Sequence, residues 1–450
     1  MYRFILLFLC FISFGKDIFA QTSARFELWK KPSYFRGFNL TLGPPLKNQQ
    51  DFIDLSKTGA NIAYLACDGF WSVDTPYTES SANIQATDEY ISYCHTVGMH
   101  YTLAIREGPG RRDVYLETPK TMPRSTIWEN KAEQQLYGSM LREIVERYKD
   151  DTLFIGIAPT TEPDPFFDSL YFDTTSLKNL LIRNGVDMYA ITKTWVDSIR
   201  SASKDLPILI QGPAYASPEF MSLSPIINDP FIVYEFHCYR PHEYVYASDT
   251  STLSYPGTYI SYLELKFAWF DKLYLKDTIF RYINARQKET GAPIFMGEFG
   301  LQFPQNGGDH LLGDLSSTDI ENGWHFAYWE YHAPGPAWNY DQMPQPYWDT
   351  VLHSFDRPNS SVEQLLSLNT GLSLSPNPCS EGFLIKISLN PLYNAEMFFL
   401  YDVLGHKVRE LTVNNGAVIE CSSDNLPSGE YLAVVKTRFG FLQKRLSIIK

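Results

Sequence analysis

Positive charge is scarce in this chain. Lys and Arg number 38 against 51 Asp and Glu, a formal net charge of −13, which argues against nucleic acid or an anionic membrane as partner. Cysteine is scarce too. Removal of an N-terminal segment containing Cys10 would leave Cys67, Cys94, Cys238, Cys379 and Cys421, an odd set that implies at least one free thiol or an intermolecular link. Cys379 and Cys421 fall in the same C-terminal segment and are candidates to pair. No cysteine spacing fits a zinc site, so no metal is expected, and no organic cofactor either. Long apolar runs are missing except near the start. There Arg3, the stretch Ile5 to Phe14 and Ile18-Phe19-Ala20 before Gln21 read as a cleavable export signal, residues 1–20. The stretch is too short to span a bilayer comfortably, an uncleaved anchor being the alternative. No stable membrane insertion is expected of the mature protein.

What is present is apolar and aromatic side chain, 44% and 15% of the chain, enough for one large domain and a smaller one. From about Phe35 to Phe355, short β-branched or aromatic runs alternate with longer amphipathic stretches. Strands are expected at Phe35–Leu40, Asn61–Ala66, Met99–Ile105, Leu153–Ala158, Pro207–Gln211, Phe231–Phe236, Pro293–Met296 and His325–Trp329. Helices are expected at Ser81–Val97, Asn130–Lys149, Ser176–Ser203 and Asp271–Thr290. About eight strand–helix repeats in roughly three hundred residues is the arithmetic of a (β/α)8 barrel. A doubly wound open sheet is the rival, but no Gly-rich phosphate turn follows the first strand. The expected organisation is a barrel over 25–357, a linker over 358–371, and a small all-β Ig-like sandwich over 372–450, where short alternating runs are separated by turn signals such as Pro427-Ser428-Gly429.

Two of the barrel runs end in a glutamate. Ile157-Ala158-Pro159-Thr160-Thr161-Glu162-Pro163 and Ile294-Phe295-Met296-Gly297-Glu298-Phe299-Gly300 each place a carboxylate at the carboxyl end of a buried strand, the edge where barrel active sites assemble. Two such glutamates are the minimum equipment for cleaving a glycosidic bond: one protonated to donate to the leaving oxygen, the other ionised. Other strand ends add Asn39, Arg106, His237, Tyr239 and Trp329, an indole suited to the apolar face of a sugar ring. Taken singly, each has a structural alternative. Arg36 and Asn39 could brace the barrel, Arg106 could form a structural ion pair, and Trp71, Trp324 and Trp338 could line a cleft or merely pack. Asp164 reads as a turn residue.

In order, Phe35-Arg36-Gly37-Phe38-Asn39, Thr161-Glu162-Pro163, Phe236-His237-Cys238-Tyr239, Gly297-Glu298-Phe299-Gly300 and Ala327-Tyr328-Trp329 resemble the motifs of family 5 glycoside hydrolases, the cellulase-like family of a clan of barrel glycosidases. The resemblance implies Glu162 as acid/base, Glu298 as nucleophile, His237 and Tyr239 as a pair beside them with Tyr239 bonding the nucleophile, and Trp329 as sugar platform. The chain departs from the pattern where the family has Asn before the acid/base, here Thr161, whose hydroxyl can still bond a substrate, and arginine on the second strand, here Tyr64. The histidine usual after the third strand is also missing. Arg106 is the candidate to restore the absent positive charge. The tail, with Ser375-Pro376-Asn377-Pro378, Leu400-Tyr401-Asp402-Val403-Leu404-Gly405 and Leu426-Pro427-Ser428-Gly429-Glu430-Tyr431, resembles a type IX secretion sorting domain. That resemblance implies the secretion machinery as partner and a secreted or outer-surface location in a Gram-negative, Bacteroidota-type bacterium.

Together these features lead to an exported retaining β-glycosidase acting on a β-linked polysaccharide of glucan or mannan type by a two-glutamate double displacement. The alternatives are an inactive surface carbohydrate-binding protein, for which Thr161 and Tyr64 speak, and a related clan enzyme acting on glycolipid or oligosaccharide ends.

Overall fold

A computed structural model describes residues 23–42, 47–112, 124–166, 173–248, 251–261, 266–333 and 337–356, and then 372–375, 377–380, 384–389, 395–402, 406–412, 418–437 and 440–449. The expected signal segment and linker lie outside these residues. The chain divides into two compact units, Met1–Asp356 and Arg357–Lys450.

The first unit is a closed barrel. Its strands are β1 (Arg36–Thr41), β2 (Ile62–Cys67), β3 (His100–Ile105), β4 (Phe154–Ala158), β5 (Ile208–Gln211) and β6 (Ile232–Cys238), then a hairpin β7 (Gly257–Ser261) and β8 (Lys266–Phe270), then β9 (Ile294–Phe299) and β10 (His325–Tyr328). The hairpin stands apart, and the other eight close in the order β1-β10-β9-β6-β5-β4-β3-β2. Every barrel pairing is parallel, so all eight strands deliver their carboxyl ends to one mouth. Burial on both faces explains why these strands read as unbroken apolar runs rather than alternating ones.

The floor is closed by the helix Ala24–Trp29. The Trp29 indole donates to the Ile155 carbonyl at 2.9 Å, and its ring lies against Phe35, Phe295 and His325. His325 accepts from the Phe35 amide and bonds the Trp29 carbonyl through Nε2. Burial pushes this imidazole down to about 4, so it serves the floor as a neutral ring. Inward side chains stacked above the floor include Ile62, Tyr64, Val233 and Phe295, all buried.

The helices differ from expectation in two places. Ser81–Val97 is capped by Ser80 and ends at Gly98 with φ 65°, matching the sequence reading. The expected single helix Ser176–Ser203 is instead two, Thr174–Arg183 and Met188–Ala202. Gly185 at φ 66° stops the first, and the Asp187 side chain caps the second by accepting from the Ala190 amide, a stop and a start within three residues. The expected helix Asp271–Thr290 is broken by a π-turn over Leu275–Ile279 before Arg281–Thr290. Helices Gln49–Lys57, Gly308–Asn322 and Gln345–Phe355 were not singled out from sequence. Among the described residues no helix is long and apolar enough to cross a membrane.

The second unit holds β11 (Leu372–Ser375), β12 (Leu384–Leu389), β13 (Ala395–Asp402), β14 (Lys407–Thr412), β15 (Val418–Ser422), β16 (Gly429–Thr437) and β17 (Gly440–Ile448). They form antiparallel sheets of order β11-β12-β15 and β14-β13-β16-β17, with Phe398, Leu400, Leu426, Ala433, Val435 and Leu446 among the buried residues. Cys379 and Cys421 are both free thiols, contrary to the pairing considered from sequence. Cys421 sits on β15 opposite Ile385, whereas Cys379 is tied to the other sheet through Ser447 and Ile449.

Candidate active site

The barrel mouth gathers three buried carboxylates around one imidazole. Glu298 lies one residue before the end of β9 and pairs in register with His237 of β6. Glu162 follows β4 after a tight turn and has φ 48°, a left-handed conformation that a side-chain-bearing residue adopts only when its surroundings impose it. Two groups impose it. The Glu162 amide donates to Gln211 Oε1 at 2.6 Å, and Arg111 Nη2 donates to the Thr161 carbonyl at 2.9 Å and reaches that of Glu162 at 3.5 Å. Neither Gln211 nor Arg111 was singled out from sequence.

His237 Nδ1 sits 2.8 Å from Glu162 Oε1 and 3.4 Å from Glu298 Oε2. One side-chain atom each from Glu162, His237 and Glu298 lies within 4.8 Å of the other two, so the two carboxyls face each other beside one imidazole. Each carboxyl has one oxygen engaged and one open. Tyr239 donates to Glu298 Oε2 at 2.9 Å, while Glu298 Oε1 and Glu162 Oε2 are buried without a hydrogen-bond partner among the described residues.

The charges are mutually adjusted. Burial and the neighbouring Glu162 push Glu298 up, His237, Arg106 and the Tyr239 hydroxyl pull it back, and the balance raises it to about 7. Burial opposes charge on His237, but Glu298, Glu162 and Glu235 overcome it and push the ring up to about 10. An imidazolium has no lone pair to give a metal, so His237 could join an ion-binding set only as the neutral ring.

The remaining sequence-derived residues separate by role. Arg106 lies with its guanidinium 5.5 Å from the Trp329 ring centroid, close enough to Glu298 to lower its pKa. Trp329 is half-buried just beyond β10, its carbonyl accepting from Tyr340 at 2.7 Å. Asn39 directs its amide nitrogen at the Gly297 carbonyl at 2.7 Å and reaches those of Tyr328 and Ala327, which ties β1 to β9 and β10 and leaves Oδ1 as its open atom. The Thr161 hydroxyl is buried beside Tyr64. Arg36 donates to the Ser33, Ser354 and Asp356 carbonyls and is a brace. Asp164 accepts from the Phe166 amide at 3.2 Å, as a turn residue should. Trp324 is core, whereas Trp338 packs on the Tyr239 ring at 5.6 Å.

A third carboxylate, Glu235, lies one pleat below His237 on β6 and is fully buried. Its Oε1 stands 3.4 Å from His237 Nε2. A Cβ at position 297 would fall 2.0 Å from that same oxygen, which explains glycine immediately before the strand-end glutamate. An acidic residue inside an otherwise apolar strand was the signal for it.

A family model described as Cellulase (glycosyl hydrolase family 5) matches residues 27–335. Endoglucanase C of Acetivibrio thermocellus is 23% identical over 357 residues, covering 70% of this chain and 91% of the relative. Endoglucanase C307 of Clostridium sp. (strain F1) is 24% identical with the same coverage. Among solved structures, the endoglucanase Cel5A of the hyperthermophile Thermotoga maritima aligns at TM-score 0.55 and 16% identity, over 74% of this chain and 99% of that one. A hyperthermophilic endo-beta-1,4-glucanase in complex with substrate aligns at TM-score 0.55 and 14% identity, over 74% and 100%. At these identities the structural matches speak to the barrel alone.

Proposed function

The chain belongs to glycosyl hydrolase family 5, the cellulase family, and on that premise we propose that this glycoside hydrolase cleaves a β-linked glucan with retention of configuration, using Glu162 and Glu298. The observation that carries the reading is the pair of facing carboxyls, each with one oxygen held and the other open.

In the first step Glu298 Oε1 attacks the anomeric carbon, the bond to the leaving oxygen breaks, and that oxygen takes a proton from Glu162. In the second, Glu162 removes a proton from water, the water oxygen bonds the anomeric carbon, and the ester to Glu298 breaks to return the carboxylate. Tyr239 holds Oε2 and leaves Oε1 without a partner, and Arg106 supplies positive charge beside a nucleophile that must start ionised. Trp329 offers a flat apolar face for a sugar ring, steadied by the guanidinium above it. The preference for glucan draws on the endoglucanase relatives, with mannan as the second substrate class. Survival of both carboxyls within reach of one imidazole favours turnover over mere carbohydrate binding.

We further propose that the N-terminal signal exports the protein and that the β-rich C-terminal unit is an Ig-like sorting module read by the type IX secretion machinery, with release or attachment at the cell surface. The test of activity is a panel of soluble β-glucans, mannans and xylans with product sizing, run beside Glu298→Ala. Turnover of a β-glucan that vanishes in the variant supports the reading. Wild-type protein inert on every glycan would overturn it.

A further inference from the structure

The acid/base and the nucleophile both change charge during turnover, yet His237 touches both. Its Nδ1 faces Glu162 and Glu298. When Glu298 is esterified its negative charge is gone, and Glu162 gains and loses a proton in each cycle. A neutral imidazole at hydrogen-bond distance from a protonated glutamate is a competing base: it could take the proton that the leaving oxygen needs.

The far side of the ring shows what prevents this. Nε2 faces Glu235 Oε1 and Gln211 Nε2, each at 3.4 Å. Gln211 presents an amide donor there, because its Oε1 is committed to the Glu162 amide and its Nε2 also donates to the Tyr64 hydroxyl at 3.2 Å. A proton on Nε2 has Glu235 as its acceptor, whereas a bare Nε2 would accept from the Gln211 amide. That carboxylate lies beneath the mouth, out of contact with a substrate at the open oxygens, so the reaction leaves its charge alone. Among the described residues, the groups around the ring are Tyr64 on β2, Gln211 on β5, Glu235 on β6 itself, Glu298 on β9 and Glu162 after β4, with Arg106 after β3 acting on Glu298. Glu235 is the one carboxyl of the set that takes no part in the two-glutamate reaction.

Resting on the two-glutamate reading above, we propose that Glu235 is a positioning residue of this hydrolase, a chemically inert carboxylate that keeps the His237 ring doubly protonated through both half-reactions and so leaves the catalytic proton on Glu162. The positive ring then bridges the two catalytic carboxyls from one side while Arg106 approaches from another, so two fixed cations face three carboxyls and one proton is left to be shared by the reacting pair. The proposal also accounts for the glycine at 297, whose missing Cβ makes room for the Glu235 carboxylate.

The test combines kinetics with nitrogen NMR on the full chain. In 15N-histidine-labelled wild-type protein, with the His237→Gln spectrum to assign the ring, both His237 nitrogens should keep protonated-ring shifts well above the ordinary 6.5. In Glu235→Gln the ring should titrate lower, the alkaline limb of kcat should move down by about one pH unit or more, and kcat above neutrality should fall about tenfold with KM little changed. Glu235→Asp, which keeps the charge, should recover part of the alkaline limb. A wild-type His237 that titrates near 6.5, or a Glu235→Gln enzyme with an unmoved pH profile, would overturn the proposal. Failure of the glycosidase reading is distinguishable: wild-type protein would then turn over no glycan, and the ring titration would still decide the state of His237.

Discussion

Removing one hydroxyl, by Tyr239→Phe, isolates the contact that orients the nucleophile. The phenol donates to Glu298 Oε2 at 2.9 Å in a buried site, and a hydrogen bond to a charged acceptor contributes about 1.5–3 kcal/mol. Its loss should therefore lower kcat/KM by roughly ten- to a hundredfold. The pH profile should shift in a defined direction. Glu298 is raised to about 7 with this bond in place, and the bond lowers it. Without the hydroxyl it rises further, so at neutral pH more of the nucleophile is protonated and idle. The acid limb of kcat/KM then moves to higher pH. The ring remains to pack against Tyr246 and Trp338, so the thermal midpoint should change little. The assay is hydrolysis of an aryl β-cellobioside across the pH range, with melting curves on the same preparations. Activity within twofold of wild type and an unmoved acid limb would refute the claim that Tyr239 holds the nucleophile.

Arg111→Met should remove the cation that braces the Thr161 and Glu162 carbonyls. Hydrogen bonds from a charged donor contribute about 1.5–3 kcal/mol, so both thermal midpoint and kcat should fall, and a variant of normal stability and activity would show that the acid/base turn does not need it. Arg106→Ala should reduce turnover strongly through loss of charge beside Glu298 and loss of support for Trp329; near-normal turnover would dismiss the role. Asp319→Asn should stabilise the fold above the ordinary Asp range. This carboxyl is fully buried with neither oxygen partnered among the described residues, and burial raises it well above 3.8. A raised native pKa means stability is fully present below the unfolded value and is lost as pH rises toward the native one. The gain in melting temperature should therefore grow between acid and neutral pH, and a gain that does not vary with pH would contradict the argument.

Strand ends were the legible part of this molecule. All eight barrel strands lie within a few residues of where apolar runs placed them, because a parallel strand buried on both faces cannot alternate. Glu162 and Glu298 could be found for the same reason, each being a charge where such a run stops. Glu235 escaped notice because it lies inside its run, where a carboxylate makes sense only once the His237 ring is seen above it. Gln211 and Arg111 act on the backbone around Glu162 from the strands on either side of β4, about fifty residues away in the chain, and no local pattern encodes a contact of that range. The stretch Ser176–Ser203 reads as one continuous helix and folds as two. The Asn184-Gly185 stop and the Asp187 cap were present in the sequence and outweighed that continuity.

The stereochemistry of the first product tests the two-carboxyl account most directly. Proton NMR of a soluble β-glucan, followed from the first minutes of hydrolysis, should show new reducing ends as the β-anomer, with the α-anomer growing in only by mutarotation. Initial release of the α-anomer would mean that water attacks directly, and Glu298 would not be the nucleophile.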